Sequence, residues 1–485
     1  MKKGELTAFL SLTFVLLLSF ILGILEISVV HTTKNLSRLE ADRAVFSLFG
    51  EYHKKLLEDY HVFSVEGSYG TGHYDEENLT GRMHYYGNGQ TGYEITGIQY
   101  LTDNRGQAFK EQVIKYMEQR YGISIIKDFS GITDQWEDQS IQGEEMEDYE
   151  ADILEEIDQI KNAGSEAVEG EGGEEGQPNL EEAQNPFSCM EKIEKSGVLS
   201  VVLPKDMELS GKQITPGNQV SNRAIRSGRG SFPARTNING AEEKLLFNEY
   251  IMKNFSNAAM DKESGEDSKT GETESGSGTD TGKKSLDYEV EYIIAGKNSD
   301  KENLESVLTK LFFIRTAINY AGLMGDSARQ SEAAGLAAVI SVILLIPEAS
   351  EMIKQMILFA WASGESVIDI RTLLSGRRAP LVKTSENWQL PLSGLLTLGI
   401  GTEQRIGEDD PEGISYETYL RGFLFLESQD KTAVRTLDRI EENIKTLYGM
   451  EYFKADQCIT KIEIKSTANI FGNITYEFPV YFGYQ

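Results

Sequence analysis

The chain has 485 residues, 40% of them hydrophobic, which is enough for two or three domains with buried cores. Its formal net charge is −30, and this sign argues against a nucleic-acid partner, because phosphate contacts need lysine and arginine. The charge is concentrated: residues 134–182 contain 19 acidic residues and one basic residue. Outside that segment the chain is only mildly acidic.

The first predicted element is an apolar run at residues 6–25 that contains no charged side chain. An α-helix rises about 1.5 Å per residue, so a run of about this length covers the roughly 30 Å apolar core of a bilayer. A short basic tail precedes the run, Glu26 follows it, and no cleavage site of the A-x-A type comes after it. We predict that residues 1–26 are a cytoplasmic tail and one transmembrane helix, which makes the membrane a partner and the rest of the chain extracytoplasmic.

This segment is either a plain anchor or a prepilin-like anchor with Gly4 as the processing point. Thr7, Ser11 and Thr13 are hydroxyl residues in an apolar helix, and Gly23 is a position for close backbone approach. Such residues favour contacts between helices in a membrane. We therefore expect lateral packing of this helix against pilin-like helices. The alternative is a passive tether that merely tolerates the hydroxyls.

Residues 27–130 are expected to form an amphipathic helix and an α/β segment. Apolar residues at steps of three or four in 45–63 predict a helix that continues from the anchor, so that residues 5–61 form one helix of roughly 85 Å. Residues 67–92 are rich in Gly, Tyr and Asn and indicate turns. Alternation at 93–100 predicts a strand, and residues 109–121 predict a helix.

The middle of the chain contains the predicted inserts. Residues 131–185 are interpreted as an acidic insert, with a helix at 146–160 and a flexible linker at 164–179. Residues 186–255 form a mixed strand and loop segment with a strand at 198–203. Residues 256–285 are a Ser/Gly/Glu linker that we expect to be disordered.

Residues 286–485 are expected to be a helical core with a C-terminal hairpin. A strand is predicted at 286–295, helices at 303–323, 349–374, 416–426 and 433–448, and strands at 458–466 and 474–484 around a turn at Gly472 and Asn473. Pro479 indicates an edge strand. The uncharged stretch 333–346 is short for a membrane span and predicts a buried core helix, which a charge at Val339 or Val342 would unfold. The predicted fold class is α+β.

The sequence contains no recognisable catalytic constellation. Residues 87–92 match G-x-G-x-x-G, but a strand follows them, so we interpret them as a turn and not as a dinucleotide site. No His/Cys spacing suits zinc. We therefore expect no catalytic residues, no cofactor, no metal and no enzyme activity. Cys189 and Cys458 are interpreted as isolated thiols, although a disulfide between them stays open.

Four arginines lie close together in a loop with glycine and proline. They are Arg223, Arg226, Arg229 and Arg235. The loop could bind an anionic envelope polymer, or it could neutralise the acidic segment of the chain itself, and we favour the second hypothesis.

The N-terminal residues 3–7 with their apolar run, and residues 23–26, resemble the pilin-like anchors of TadE and TadG proteins in tight-adherence pilus systems. They differ from type IV prepilins, because the acidic residue five places after the cleavage point would fall at Phe9. The body resembles a bacterial domain-of-unknown-function family encoded beside tight-adherence pilus genes in Gram-positive species. The stretches that carry this resemblance are 51–60, 196–204, 291–296, 361–371, 380–384 and 416–421.

The resemblance implies a cellular context and no chemistry, since that family has no established activity. It implies pilin-like or Tad-like assembly proteins as partners and leaves oligomer formation open. We expect a membrane-anchored structural or assembly component of a Tad-like pilus or secretion apparatus. The alternative is a cell-envelope enzyme or an envelope-polymer-binding module.

Overall fold

The computed structural model describes residues 3–89, 91–122, 133–169, 185–204, 207–259, 284–398, 405–470 and 474–484. The chain divides into two compact units, and each unit combines separate stretches of sequence. Unit 1 comprises Met1–Arg120, Asn218–Ile238 and Leu437–Gln485. Unit 2 comprises Tyr121–Gly217 and Asn239–Thr436.

Unit 1 is a small antiparallel sheet with helices. Its elements are α1 (Lys3–Phe49), α2 (Lys54–Tyr60), β1 (Val65–Glu66), α3 (Glu76–Tyr86), β2 (Thr91–Tyr100), α4 (Asp103–Tyr121, whose last residue is assigned to unit 2), β3 (Cys458–Ile470) and β4 (Ile474–Gly483). The predicted strand at 93–100 and the predicted helix at 109–121 are confirmed. The interpretation of 67–92 as turns is wrong in part, because α3 forms there with Asp75 as its N-cap.

The sheet is organised around β3. Strand β2 pairs antiparallel with β3 from Thr91↔Ala468 to Tyr100↔Ile459, and β4 pairs with it from Lys461↔Gly483 to Ile470↔Ile474. The two-residue β1 pairs with the beginning of β3. The predicted C-terminal hairpin is confirmed, with Pro479 on β4, which pairs only with β3 among the described strands. Residues 472 and 473 of its predicted turn lie outside the described residues.

The last part of α1 belongs to the core of unit 1. Its buried positions recur at helical spacing, so one stripe of the helix faces inward: Ser37, Ala41, Ala44, Val45, Leu48 and Phe49. The apolar members of this stripe pack with buried residues of α3 and of all four strands. Burial of the stripe is driven by the hydrophobic effect and fixes α1 on the sheet.

Helix α1 does not continue to residue 61 as the sequence predicted. It ends at Phe49, where the backbone N–H of Gly50 bonds back to the carbonyls of Phe46 and Ser47. A new helix, α2, begins at Lys54, because His53 caps it by accepting a hydrogen bond from the Leu56 N–H. At about 1.5 Å per residue, the 47 residues of α1 extend for about 70 Å.

Unit 2 is helical in its described residues. Its elements are α5 (Thr133–Glu169), α6 (Ser188–Ser196), α7 (Leu199–Val202), α8 (Ala241–Asn254), α9 (Glu289–Ala295), α10 (Asp300–Met324), α11 (Ser327–Ile343), α12 (Ser350–Leu374), α13 (Leu392–Leu398) and α14 (Tyr416–Leu426). Helix α15 (Gln429–Tyr448) begins in unit 2 and continues into unit 1. The predicted helices at 303–323, 349–374, 416–426 and 433–448 are confirmed.

The core of unit 2 is centred on α12, in which every residue from Met356 to Leu374 is buried. Helix α12 packs against α10 and α11, and α10 also packs against α5 and α9. Because α12 has no exposed face in this stretch, the fold keeps its few polar side chains inside the protein. These side chains form the polar cluster described below.

Two predicted strands are wrong. Residues 198–203 contain the short helix α7, and residues 286–295 contain α9, which ends at Gly296 in the left-handed conformation. Most residues of both segments are buried. A buried segment needs no polar face, so its pattern of polar and apolar residues does not distinguish a helix from a strand.

The predicted helix at 333–346 is confirmed as far as Ile343, where α11 ends, and its predicted burial is wrong. Ala333, Ala337 and Ile340 face inward, whereas Val339 is 56% exposed and Val342 is 63% exposed. The helix therefore lies at the surface of unit 2 and presents apolar side chains outward.

The two predicted linkers fall largely outside the described residues. Helix α5 continues through residue 169, so the first linker does not begin at 164 as predicted. Residues 170–184 and 260–283 are not described. The α+β class is confirmed by the helices and the antiparallel sheet.

Candidate functional site

The first candidate region is the apolar part of α1. Among the described residues, α1 is the helix that is long and apolar enough to cross a membrane, and the apolar part of it is not buried by the protein. Its large side chains are exposed, including Phe9, Leu16 and Phe20. Such a face is stable against lipid and not against water.

The hydroxyl residues of this helix have hydrogen-bond acceptors inside the helix. Ser11 donates to the Ala8 carbonyl at 3.0 Å, and Thr13 donates to the Phe9 carbonyl at 3.0 Å. A Cβ added at Gly4 or Gly23 would meet no atom within 4 Å, and Glu26 is exposed. Together with Thr7, these positions are open to a neighbouring helix, and contact with one stays a prediction.

Aromatic and cationic contacts fix the other end of α1. The Phe49 ring lies 4.7 Å from that of Phe482 and 5.0 Å from that of Tyr484 between centroids, and the Tyr484 hydroxyl donates to the Phe49 carbonyl. Nearer the apolar run, the Lys34 ammonium lies 4.9 Å from the centroid of the Tyr476 ring on β4. Thus α1 is attached to the sheet over several turns.

The second candidate region is the arginine loop in unit 1. Arg223 forms a bidentate ion pair with Glu441, with N–O distances of 2.6 and 2.8 Å, and also donates to Asp456. The Arg226 guanidinium lies 4.1 Å from the centroid of the Tyr74 ring. Paired guanidinium and carboxylate groups in this fork geometry make strong, oriented hydrogen bonds.

The remaining arginines of the loop have similar partners. Arg229 pairs with Glu76 through two bonds of 2.6 Å, and Arg235 pairs with Glu118 at 2.6 and 3.0 Å. These carboxylates lie outside residues 134–182, and neutralisation of the acidic segment by the loop stays a prediction. The loop holds unit 1 together, and binding of an external anion stays a prediction.

The third candidate region is a buried charged cluster in unit 2. Arg315 on α10 donates to Asp369 on α12 at 2.6 Å. Lys383 contacts the same Asp369 at 2.9 Å and Glu365 at 2.6 Å. All four side chains are at least 95% buried. Two cations and two carboxylates balance in formal charge, as burial requires.

Further hydrogen bonds complete this cluster. Arg315 donates to the carbonyls of Pro380 and Leu381, and Glu365 accepts from the backbone N–H groups of Gln389 and Leu390. Burial alone raises the pKa of Asp369, but Arg315 and Lys383 bring that pKa below its ordinary value, so Asp369 is ionised. The cluster joins α10, α12 and the 380–390 segment, which is a structural role.

This cluster was not predicted, although the sequence contains a signal for it. Glu365 and Asp369 are four residues apart in a largely apolar helix, which places both carboxylates on one helical face. Arg315 similarly interrupts the apolar face of α10. Charged residues inside a buried helix need partners, but the sequence does not show which ones.

Stretches that carried the family resemblance meet in unit 2. Arg371 donates to the Val201 carbonyl at 3.0 and 2.6 Å, which joins 361–371 to 196–204. The Tyr416 hydroxyl donates to Glu291 at 3.0 Å, which joins 416–421 to 291–296. These segments therefore supply buried polar contacts of the fold.

The remaining predicted residues supply no chemical centre. Cys189 and Cys458 are both buried free thiols, and burial raises the pKa of Cys189 to about 12, so it is a poor nucleophile. Among the described residues, no group of three or more His, Cys, Asp or Glu side chains is arranged to hold a metal ion. Residues 87–89 follow α3, and residues 91 and 92 begin β2.

Comparison with known families decides the membership of the chain. Residues 176–470 match the model of a family of unknown function, DUF5702. The chain belongs to this family. Neither the curated proteins nor the solved structures gave a match.

The DUF5702 match includes all helices of unit 2 from α6 onward and only part of unit 1. It includes β3, whose sheet partner β2 at Thr91–Tyr100 lies outside the matched range. The family segment is therefore not a complete folding unit in this chain. The match also excludes the resembling stretch 51–60 and the N-terminal anchor, and its description does not mention pili.

Proposed function

We propose that this protein is a membrane-anchored structural or assembly component of a Tad-like pilus or secretion apparatus, with the bulk of the chain outside the cytoplasmic membrane. The observation that carries the proposal is the double role of α1. Its first part has apolar side chains that only lipid or another apolar partner would cover, and its last part is built into the core of unit 1.

This construction couples the membrane to the sheet without a flexible joint. From Glu26 to Phe49 the helix is continuous and covers about 35 Å. A protein that only needs to be held at a membrane could use a flexible linker. A continuous helix instead fixes the height and rotation of unit 1, which is useful to a subunit that fits beside others.

The orientation of the chain across the membrane and its assignment to a Tad-like apparatus are inferred from the sequence. A tail of a few residues stays on the cytoplasmic side more easily than a long acidic body. The N-terminal resemblance to TadE and TadG anchors suggests pilin-like partners that contact Ser11, Thr13 and Gly23. The proposal gives the chain no catalytic activity, and it assigns the ion pairs of the buried charged cluster a structural role.

The coupling is tested by breaking α1 between the apolar run and the sheet. A short Gly/Ser insertion after Thr33 interrupts the helix, whereas a helical insertion of about two turns at the same place keeps it continuous. Both variants retain the apolar run and the packed stripe. Partners are recovered from solubilised membranes after in-cell crosslinking and quantified by mass spectrometry.

We expect the Gly/Ser insertion to reduce recovery of pilin-like partners while the protein level and membrane insertion are unchanged. The variant with the helical insertion should recover more of these partners than the Gly/Ser variant. Equal recovery from both variants and the wild type would contradict rigid coupling. A partner set without pilin-like or Tad-like proteins would contradict the apparatus. Replacing residues 1–26 by an unrelated span then tests the helix contacts: normal assembly would reduce α1 to a tether.

A further inference from the structure

A groove in unit 1 has a composition that neither the anchor nor the family explains. A cavity of about 690 Å³ is lined by residues at the end of α1, at the beginning of α2, after β1 and after α15. A second cavity of about 470 Å³ adjoins it, and Tyr69 and Arg82 line both. We call the combined surface the tyrosine groove, after Tyr52, Tyr69, Tyr85 and Tyr452.

Three of the four tyrosine rings of the groove are exposed. Tyr52 is 41% exposed, Tyr452 is 60% exposed and Tyr85 is 78% exposed. Single exposed apolar residues are ordinary, but several large rings along one concave surface are typical of a binding site. A tyrosine ring supplies a rigid flat surface and a hydroxyl at low entropic cost.

The groove is held in place by its own hydrogen bonds. Tyr69 has a left-handed backbone with φ of 53°, and Glu66 maintains this turn by accepting from the N–H groups of Ser68 and Gly70 at 2.9 and 2.7 Å. The Arg82 guanidinium lies 4.6 Å from the centroid of the Tyr69 ring and donates to Glu51 at 2.9 Å. The ligand would therefore meet a preformed surface.

Polar groups of both kinds line the groove. His53 accepts the Leu56 N–H through Nδ1, so its neutral ring carries the proton on Nε2 as a donor. Exposed Glu451, Glu77 and Asn78 supply acceptors, and Arg82 supplies further donors. Hydroxyl groups, which donate and accept at once, match such a mixture.

Three other occupants fit this surface less well. The lining carboxylates and cations nearly balance, so the groove has no excess of positive charge that would attract an anionic polymer. A peptide that adds a strand needs a longer edge than the two residues of β1. A bilayer lies too far from the groove. Glu51, which lines the groove, comes 25 residues after Glu26 at the end of the apolar run, and the helix between them extends for more than about 30 Å.

We propose that the tyrosine groove binds a linear, uncharged glycan of the cell envelope. Sugar rings offer an apolar face that can lie on a tyrosine ring, and their hydroxyls can reach the donors and acceptors between the rings. The source of the glycan rests on the proposed extracytoplasmic location. The binding itself depends only on the groove, so the two proposals are tested separately.

The test is calorimetric titration of the purified full-length protein in lipid nanodiscs. The probes are hexamers of β-1,4-linked N-acetylglucosamine, β-1,4-linked glucose and α-1,4-linked glucose, and an uncharged hexapeptide. The variant Tyr52→Ala/Tyr452→Ala removes two exposed rings of the groove. Tyr481→Ala is the matched control, because Tyr481 is 45% exposed on β4 and does not line the groove.

We expect at least one glycan hexamer to bind saturably, the double variant to weaken its binding by about tenfold or more, and Tyr481→Ala to leave it nearly unchanged. Unchanged circular dichroism of the double variant establishes that its fold is intact. Absence of glycan binding at about 10 mM would overturn the proposal, as would equal loss in the control. Binding of the peptide alone, lost in the double variant, would make the groove a peptide site. None of these negative results affects the proposed anchoring.

Discussion

Glu291 is a buried carboxylate whose replacement by glutamine should change how stability depends on pH. It lies on α9, fully buried, where Oε1 accepts from the Ala258 N–H at 2.9 Å and from the Tyr416 hydroxyl at 3.0 Å. Its other oxygen, Oε2, has no hydrogen-bond partner among the described residues. Burial raises the pKa of Glu291 from 4.5 to about 7, because the charged form loses hydration that these bonds replace only in part.

The sign and size of the effect follow from this pKa. The folded state holds the proton more tightly than the unfolded state, so the contribution to stability is complete below about pH 4.5 and is lost as the pH rises through about 7. A difference of about 2.5 in pKa corresponds to about 3 kcal/mol. Glutamine keeps the acceptor oxygen and never ionises. The free energy of unfolding of Glu291→Gln, relative to that of the wild type, should therefore rise by about 3 kcal/mol as the pH increases from 4.5 to 8.

Urea titrations followed by tryptophan fluorescence measure this difference at several pH values in that range. The control is Glu451→Gln, which removes an exposed carboxylate and should leave the pH dependence as it is in the wild type. Parallel curves for the wild type and Glu291→Gln would refute the reasoning, since they would mean that burial does not hold the proton on Glu291.

Further predictions concern the core and the thiols. Asp369→Asn should lower the free energy of unfolding, measured by urea titration, by about 3–5 kcal/mol, because it leaves the buried cations short of a counter-charge. The control is Glu386→Gln, which changes an exposed carboxylate. An unchanged free energy of unfolding for Asp369→Asn would contradict the assigned role of the cluster. Ile340→Glu should unfold the protein, whereas Val342→Glu should change stability by less than about 0.5 kcal/mol; equal thermal midpoints would contradict the assigned face of α11. Both native thiols should react with a thiol reagent only after unfolding, and rapid reaction of the folded protein would contradict their burial.

The long amphipathic helices and the hairpin were predictable because their side-chain periods were clear. Helix α10 shows a broad apolar face, and β3 and β4 alternate with the period of a strand. Helix α9 was missed because every one of its residues from Glu289 to Ile294 is buried, so alternation between residue types carried no information about the backbone.

The remaining errors concern partners that are distant in sequence. The sequence placed the arginine loop correctly as a cluster of charge, but its partner Glu441 is more than 200 residues away from Arg223. The outward face of α11 was missed for the same reason, because apolar composition does not show which side of a helix finds a neighbour. Likewise, no local pattern indicates that β2 pairs with β3 from the other end of the chain.

The central proposal is that α1 anchors an extracytoplasmic body in the membrane. It is tested most directly by labelling two variants, each with one introduced cysteine. Glu5→Cys reports the N-terminal side of the span, and Lys54→Cys reports the beginning of α2, where the native side chain is 78% exposed. The native thiols are buried and should give little background. On intact, wall-stripped cells a membrane-impermeant maleimide should label Lys54→Cys, and it should label Glu5→Cys only after lysis. Labelling of Glu5→Cys with protection of Lys54→Cys would contradict the proposed topology.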